Sequence, residues 1–185
     1  MTGSSLPRPR PVVWEGAPYR AGRPPRQVPG VVGYKLSSNE NPFDPLPEVR
    51  EAAARALQLH RYPDPTALPL REAIAELHGT TADAVEAGTG SLDVLNRILA
   101  AFAGTGADGV QDEVVFAWRS FESYPISVRM AGARAVPVPL AADGRHDLAA
   151  MADAVSARTR VVILCSPNNP TGPALTGAAL DGFLD

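Results

Sequence analysis

The apolar positions of this chain change period several times along its length. After Pro47, whose fixed φ suits a first helical turn, Val49, Ala52, Ala53, Ala56 and Leu57 share one helical face. Glu51 and Arg55 sit four residues apart on the other side. The tract Arg61-Tyr62-Pro63-Asp64-Pro65 stops this helix, because proline disfavours helix at the residue before it. Thr66 is the candidate N-cap of a second helix, which carries Leu70, Ile74 and Leu77 and ends near Gly79. Short apolar runs then alternate with helical ones. Val85–Ala87 reads as a strand, and Gly88-Thr89-Gly90-Ser91 turns into a helix bearing Leu92, Leu95, Leu99 and Phe102. Beyond a glycine-rich loop at 104–112 come a strand at 114–118, a helix over 121–131 that tolerates Pro125, and a strand at 135–140. That strand holds two prolines, which places it near a sheet edge. A helix over 147–157, a strand over 161–165 and the start of a helix over 176–185 complete the pattern. Such alternation predicts an α/β fold with a mainly parallel sheet.

Residues 1–33 show no clear period and read as an irregular tail rich in proline and arginine. At the other end, Leu180, Phe183 and Leu184 form an apolar helix face with no C-cap after it, so the sequence is expected to stop inside a domain.

With 45% hydrophobic and 20% charged residues in 185, the chain reads as globular and able to build a core. A net charge of -3 argues against nucleic acid or an anionic membrane surface as partner. No apolar run approaches a membrane span, and no apolar segment follows the N-terminal arginines as a secretory signal requires. Cys165 is the single cysteine, which rules out an internal disulfide and fits a cytoplasmic location. His60, His78 and His146 lack metal-ligand spacing, and no nucleophile elbow is present. Lys35 is the only lysine, so any lysine chemistry has one candidate.

Four places could carry chemistry. The glycines of Gly88–Ser91 would let a backbone approach an anion, with the first N–H groups of the following helix facing it. A plain helix-start turn explains them too. Asn168 and Asn169 follow the apolar run Val161–Leu164, at the end of a strand where open α/β sheets place ligands. Their carboxamides could hydrogen-bond a phenolate or simply build a turn. Phe121, just past the strand at 114–118, could stack on a planar ring or belong to the core. Tyr62, in a proline-fixed turn, could offer its hydroxyl to a phosphate or be an ordinary surface residue.

Four motifs in order then point one way. They are Leu36-Ser37-Ser38-Asn39-Glu40-Asn41-Pro42, Arg61-Tyr62-Pro63-Asp64, Gly88–Ser91 and Ser166-Pro167-Asn168-Asn169-Pro170-Thr171-Gly172. Together they resemble the histidinol-phosphate aminotransferase family of pyridoxal 5'-phosphate (PLP) enzymes. The stretch Val114–Tyr124 looks most like its aromatic (phenylalanine) aminotransferase branch. The resemblance runs from about residue 34 to the end. It implies a PLP-dependent transferase of fold type I, a homodimer, and amino-group transfer between glutamate and an imidazole or aromatic 2-oxo acid. It divides the chain into the tail 1–33, an N-terminal arm with the first helix at 34–65, and the first part of the large domain at 66–185.

By the same resemblance, Gly90, Ser91 and the backbone of Leu92 would cradle the cofactor phosphate. An acidic residue is common at the position of Leu92. Phe121 matches the aromatic that stacks on the pyridine ring. Asn169 matches the asparagine that bonds the cofactor's phenolic oxygen. Tyr62 matches a tyrosine that reaches the phosphate held by the other subunit, and the arm around Asn39 helps close the substrate site. The loop at 104–112 is longer than usual and reads as a surface insertion. The family's second half, with its pyridine-pairing Asp, its Schiff-base lysine and its carboxylate-binding arginine, has no counterpart here, and Lys35 lies in the wrong motif to substitute. No catalytic residue is therefore assigned, and the 185 residues alone are expected to show neither lysine-bound cofactor nor transamination. A PLP lyase or decarboxylase of the same fold, and a non-catalytic binding module, are the other readings.

Overall fold

A computed structural model describes residues 8–16, 19, 22–36 and 38–185. Ser37 of the arm motif, and residues 1–7, 17, 18, 20 and 21 of the tail, lie outside the described residues. The chain divides into two compact units. One comprises Gly88–Asp185 with the described residues up to Tyr19, and the other is residues 20–87.

The larger unit is built on a three-stranded parallel sheet in the order β2-β1-β3, with β1 at Glu113–Trp118, β2 at Arg134–Pro139 and β3 at Thr159–Ile163. Val114, Val115 and Phe116 of the central strand are wholly buried. An unbroken apolar run is what a strand covered on both faces requires. Alternation along β1 sorts its side chains between two layers. Val114 and Phe116 pack with Leu99 of α3 (Ser91–Phe102) and with Tyr124 and Val128 of α4 (Tyr124–Ala131). Val115 and Ala117 pack with Val138 and with Met151 of α5 (Leu148–Asp153), and Phe183 of α6 (Ala178–Leu184) joins them. The predicted α/β fold with parallel strands is what the structure holds. At the N-terminal end of β1, the buried Glu113 carboxylate accepts from Arg134 and from Ser156 Oγ at 2.8 Å. Hydrogen bonding to Arg134 first, then Ser156, holds that carboxyl below its ordinary range.

The smaller unit holds α1 (Pro47–Ala56) and α2 (Leu68–His78), with Pro47 and Gly79 where the sequence placed a start and a stop. The cap of α2 differs from expectation. Asp64, not Thr66, is the capping carboxylate, accepting from the N–H groups of Thr66 and Leu68, each at 2.9 Å. Val85–Ala87 is not a strand. Val85 has extended dihedrals, φ -114 and ψ 124, but no ladder partner among the described residues, and its carbonyl accepts from Arg71 Nε at 2.8 Å.

Three boundaries also move. α4 begins at Tyr124 because Phe121–Ser123 form a turn that puts Pro125 in the first helical turn, where its missing N–H costs nothing. α5 is shorter than 147–157, since Ser156 and Thr159 bond each other and end it. β3 starts two residues earlier and leaves Leu164 and Cys165 beyond the ladder. The loop at 104–112 is exposed but tied down, with Thr105 and Gln111 side chains both donating to the Gly132 carbonyl at 3.0 Å.

Candidate functional site

The C-terminal ends of the parallel strands carry the predicted site residues of the larger unit, as sheet topology leads one to expect. α3 starts there. Gly90 sits just before it at φ 87, a left-handed value that glycine adopts without strain, and the space a Cβ would occupy is open. The Thr89 N–H and hydroxyl are both taken by the Asp93 carboxylate, at 3.0 and 3.2 Å. Chiefly through the Thr89 backbone bond, Asp93 is held below its ordinary pKa. Asp93 also pairs with Arg97 at 3.0 Å, so its charge is engaged within the turn and the helix. The next two N–H groups, of Ser91 and Leu92, meet no acceptor among the described residues. A helix start with two free donors, one hydroxyl and no Cβ in front has the donor geometry to accept an anionic oxygen.

Phe121 follows β1 by three residues and is half-buried. Its ring stands edge-on to Tyr124, with centroids 5.6 Å apart at 87°, and Tyr124 stands edge-on to Phe116 at 5.9 Å. The aromatic chain from the core thus fixes the Phe121 ring from behind. Burial pushes the Tyr124 hydroxyl far above its ordinary pKa, so it stays protonated. Leu92 and Phe121 border one concavity of about 640 Å³ that runs along α3 and α4 past Asn96, Ile126 and Met130. Ser91 and Asn169 do not line it.

The two carboxamides after β3 play different parts. Asn168 is 3% exposed and wholly engaged. Its Oδ1 accepts from Ser120 Oγ at 2.7 Å, and its Nδ2 donates to the Arg119 carbonyl at 3.2 Å and to Thr171 Oγ1 at 2.7 Å. Its backbone closes the loop on Pro173 and Gly172 at 2.9 and 2.7 Å. Asn169 is half-exposed, and no hydrogen bond ties its side chain down among the described residues. The Ser120–Asn168 bond ties together the two loops that carry Phe121 and Asn169, each the next residue along its own loop. Sequence reasoning singled out Asn169 and missed the hub of Asn168, Ser120 and His146. Asn168 was visible as half of an Asn-Asn pair, but nothing in spacing joins residues 120, 146 and 168.

Tyr62 belongs to the unit of residues 20–87, and its side chain is fully exposed. Lys35 belongs there too and pairs with Glu40 at 3.0 Å. No cluster of metal-ligating side chains occurs among the described residues, and no helix there is long and apolar enough to cross a membrane.

Comparison with known proteins agrees with this geometry. The family model for aminotransferase class I and II matches residues 32–185. An aromatic amino acid aminotransferase of Streptomyces avermitilis is 46% identical over 173 residues, covering 92% of this chain and 46% of the relative. One of Cutibacterium acnes is 53% identical over 151 residues, covering 81% and 42%. Among solved structures, the aspartate aminotransferase of Thermus thermophilus with maleate superposes with a TM-score of 0.71 at 31% identity, over 80% of this chain and 40% of the other. The histidinol-phosphate aminotransferase of Sinorhizobium meliloti in complex with pyridoxal-5'-phosphate gives 0.71 at 29%, over 80% and 39%. The chain thus spans a little under half the length of these relatives. A parallel sheet covered on both faces, an anion-ready helix start and an Asn-Pro loop at the strand ends fit one conclusion: the chain belongs to the aminotransferase class I and II family.

Proposed function

We propose that these residues form the phosphate-and-ring wall of a PLP site in an aminotransferase that acts on aromatic amino acids and their 2-oxo acids. One observation carries the reading. The start of α3 borders one concavity with Phe121 through Leu92, and the Ser120–Asn168 bond ties the loop of Phe121 to the loop that carries the uncommitted carboxamide of Asn169. The donor set fits the cofactor. Ser91 Oγ and the N–H groups of Ser91 and Leu92 would hold a phosphate dianion, and Gly90 leaves it room. Phe121 would stack on the ring, and Asn169 would donate to the phenolic oxygen. When bound, PLP supplies an electron sink for the substrate's α-carbon. The residues here would orient the ring, donate hydrogen bonds to the phosphate and cover the apolar side. No lysine lies among residues 88–185, so contacts from these residues to the cofactor would be non-covalent.

The relatives named as aromatic amino acid aminotransferases, at 46 and 53% identity, favour an aromatic substrate. Histidinol phosphate is the second reading, supported by the Sinorhizobium structure at 29%. A homodimer belongs to the same proposal, with Tyr62, exposed on its own unit, serving the phosphate of the partner. The single cysteine, which leaves no internal disulfide, favours a reducing compartment such as the cytoplasm.

The test is cofactor affinity, followed by turnover of the intact protein. Ser91→Ala and Asn169→Ala are each expected to weaken PLP binding about tenfold or more, since a hydrogen bond to a charged group is worth roughly 1.5–3 kcal/mol. Unchanged affinity in both variants refutes the reading. With 2-oxoglutarate as acceptor, phenylalanine should turn over faster than histidinol phosphate, and the reverse order selects the second substrate.

A further inference from the structure

Three loops leave the C-terminal ends of β1, β2 and β3, and all three meet at Asn168. The first supplies Ser120 Oγ and the Arg119 carbonyl. The second supplies His146 Nε2, 3.2 Å from Asn168 Oδ1, and the Gly144 carbonyl, which accepts from Thr171 Oγ1 at 2.7 Å. Thr171, in the third loop, accepts from Asn168 Nδ2. His146 is 6% exposed, so bulk water does not stand in for these partners.

The donor and acceptor inventory fixes the proton on His146. The Arg119 carbonyl can only accept, so the nitrogen of the Asn168 amide faces it and the oxygen faces Ser120 and His146. That oxygen has no proton to give, so Nε2 of His146 is the donor. The tautomer that meets this need carries its proton on Nε2, and Nδ1 is the buried side-chain atom without a partner among the described residues.

We propose that His146 is a positioning residue for the cofactor wall. Its Nε2–H holds the Asn168 carboxamide in the one orientation that also engages Ser120 and Arg119. Asn168 in turn sets the two residues that follow its partners and itself, Phe121 and Asn169. His146 is well placed for this, because the next residue, Asp147, caps α5 by accepting from the Ala150 N–H at 3.0 Å and so anchors the loop. The inference rests on the reading of Phe121 and Asn169 as cofactor contacts.

The test compares PLP affinity, the absorption maximum of the bound cofactor, and the imidazole nitrogen NMR spectrum in the full chain. The variants are His146→Phe, His146→Gln and, as a reference, Ser91→Ala. The spectrum should show Nε2 protonated and Nδ1 bare. His146→Phe should bind PLP roughly five- to tenfold more weakly, the worth of one buried hydrogen bond, with a shifted absorption maximum. His146→Gln keeps an N–H donor and should restore most of the affinity and the original maximum. If Ser91→Ala weakens binding and His146→Phe does not, the inference fails while the cofactor reading stands. If neither variant changes affinity, the cofactor reading fails and takes the inference with it. Should His146→Phe not fold, the Gln variant and the spectrum decide, and a protonated Nδ1 with a bare Nε2 overturns the proposal.

Discussion

Residues 88–185 and residues 20–87 make their helices from similar local signals and treat them in opposite ways. In the first region, α3, α4 and α5 each bury side chains against the sheet, and β1 is buried from Glu113 to Ala117. In the second, Ala75 is the only buried hydrophobic residue among those described, while Leu59 is 90% exposed and Leu36 likewise. α1 buries nothing. The difference separates two sources of order. α1 and α2 are placed by chain chemistry, with Pro47 at one start, Asp64 capping the other and Gly79 at a left-handed stop. The elements of residues 88–185 are placed by the burial of β1 and the loops that it aligns.

Mutation should expose that difference most strongly in the core. Phe116→Ala removes a fully buried ring that contacts Trp118 and Tyr124, and it is expected to cost about 3–5 kcal/mol in urea unfolding. Leu59→Ala should stay within about 0.5 kcal/mol, as exposed substitutions do. Equal effects would erase the distinction. A smaller contrast lies within two adjacent residues. Asn168→Ala strands the buried Ser120 and His146 and should cost about 2–3 kcal/mol, whereas Asn169→Ala should leave stability almost unchanged while weakening PLP binding.

The pH response of α2 sharpens the same contrast. Backbone bonds from Thr66, then Leu68, hold the Asp64 carboxyl below its ordinary 3.8. A depressed folded pKa means that the cap's contribution is complete above pH ~3.8 and disappears as pH falls through the lower folded value. Helical signal from residues 68–78, followed by NMR, should therefore fray in that acid window and in Asp64→Ala at neutral pH. Retention of the first turn in both would show that tertiary contacts place α2. The smallest effect belongs to the exposed pair of Glu51 and Arg55, 3.3 Å apart, where Glu51→Ala should change stability by no more than about 0.5 kcal/mol.

Much of this molecule was legible in its sequence because its signals are local. Pro47, Gly79 and the apolar run of β1 each announce an element without help from distant residues. The alternation of strand and helix implied parallel pairing, and the pairing of β1 with β2 and β3 is parallel. The misreadings share a cause. Val85 has the dihedrals of a strand, but a strand exists only through a partner, which its own sequence does not reveal. Thr66 reads as a cap because it is a hydroxyl residue just ahead of the helix, yet Asp64 reaches further with a charged acceptor. Within the site, spacing marked Gly88–Ser91 and the Asn168-Asn169 pair as candidates, and the family resemblance singled out Gly90, Ser91 and Asn169. The buried hub was hidden, since residues 120, 146 and 168 become neighbours only when three strands are aligned.

The central claim is that one wall of a PLP site lies at the C-terminal end of this sheet. A crystal structure of the full chain with PLP tests it most directly. The account predicts the phosphate on the N–H groups of Ser91 and Leu92, the ring against Phe121 and the phenolic oxygen beside Asn169. Cofactor bound elsewhere, or a site in which these residues touch none of it, would contradict the account.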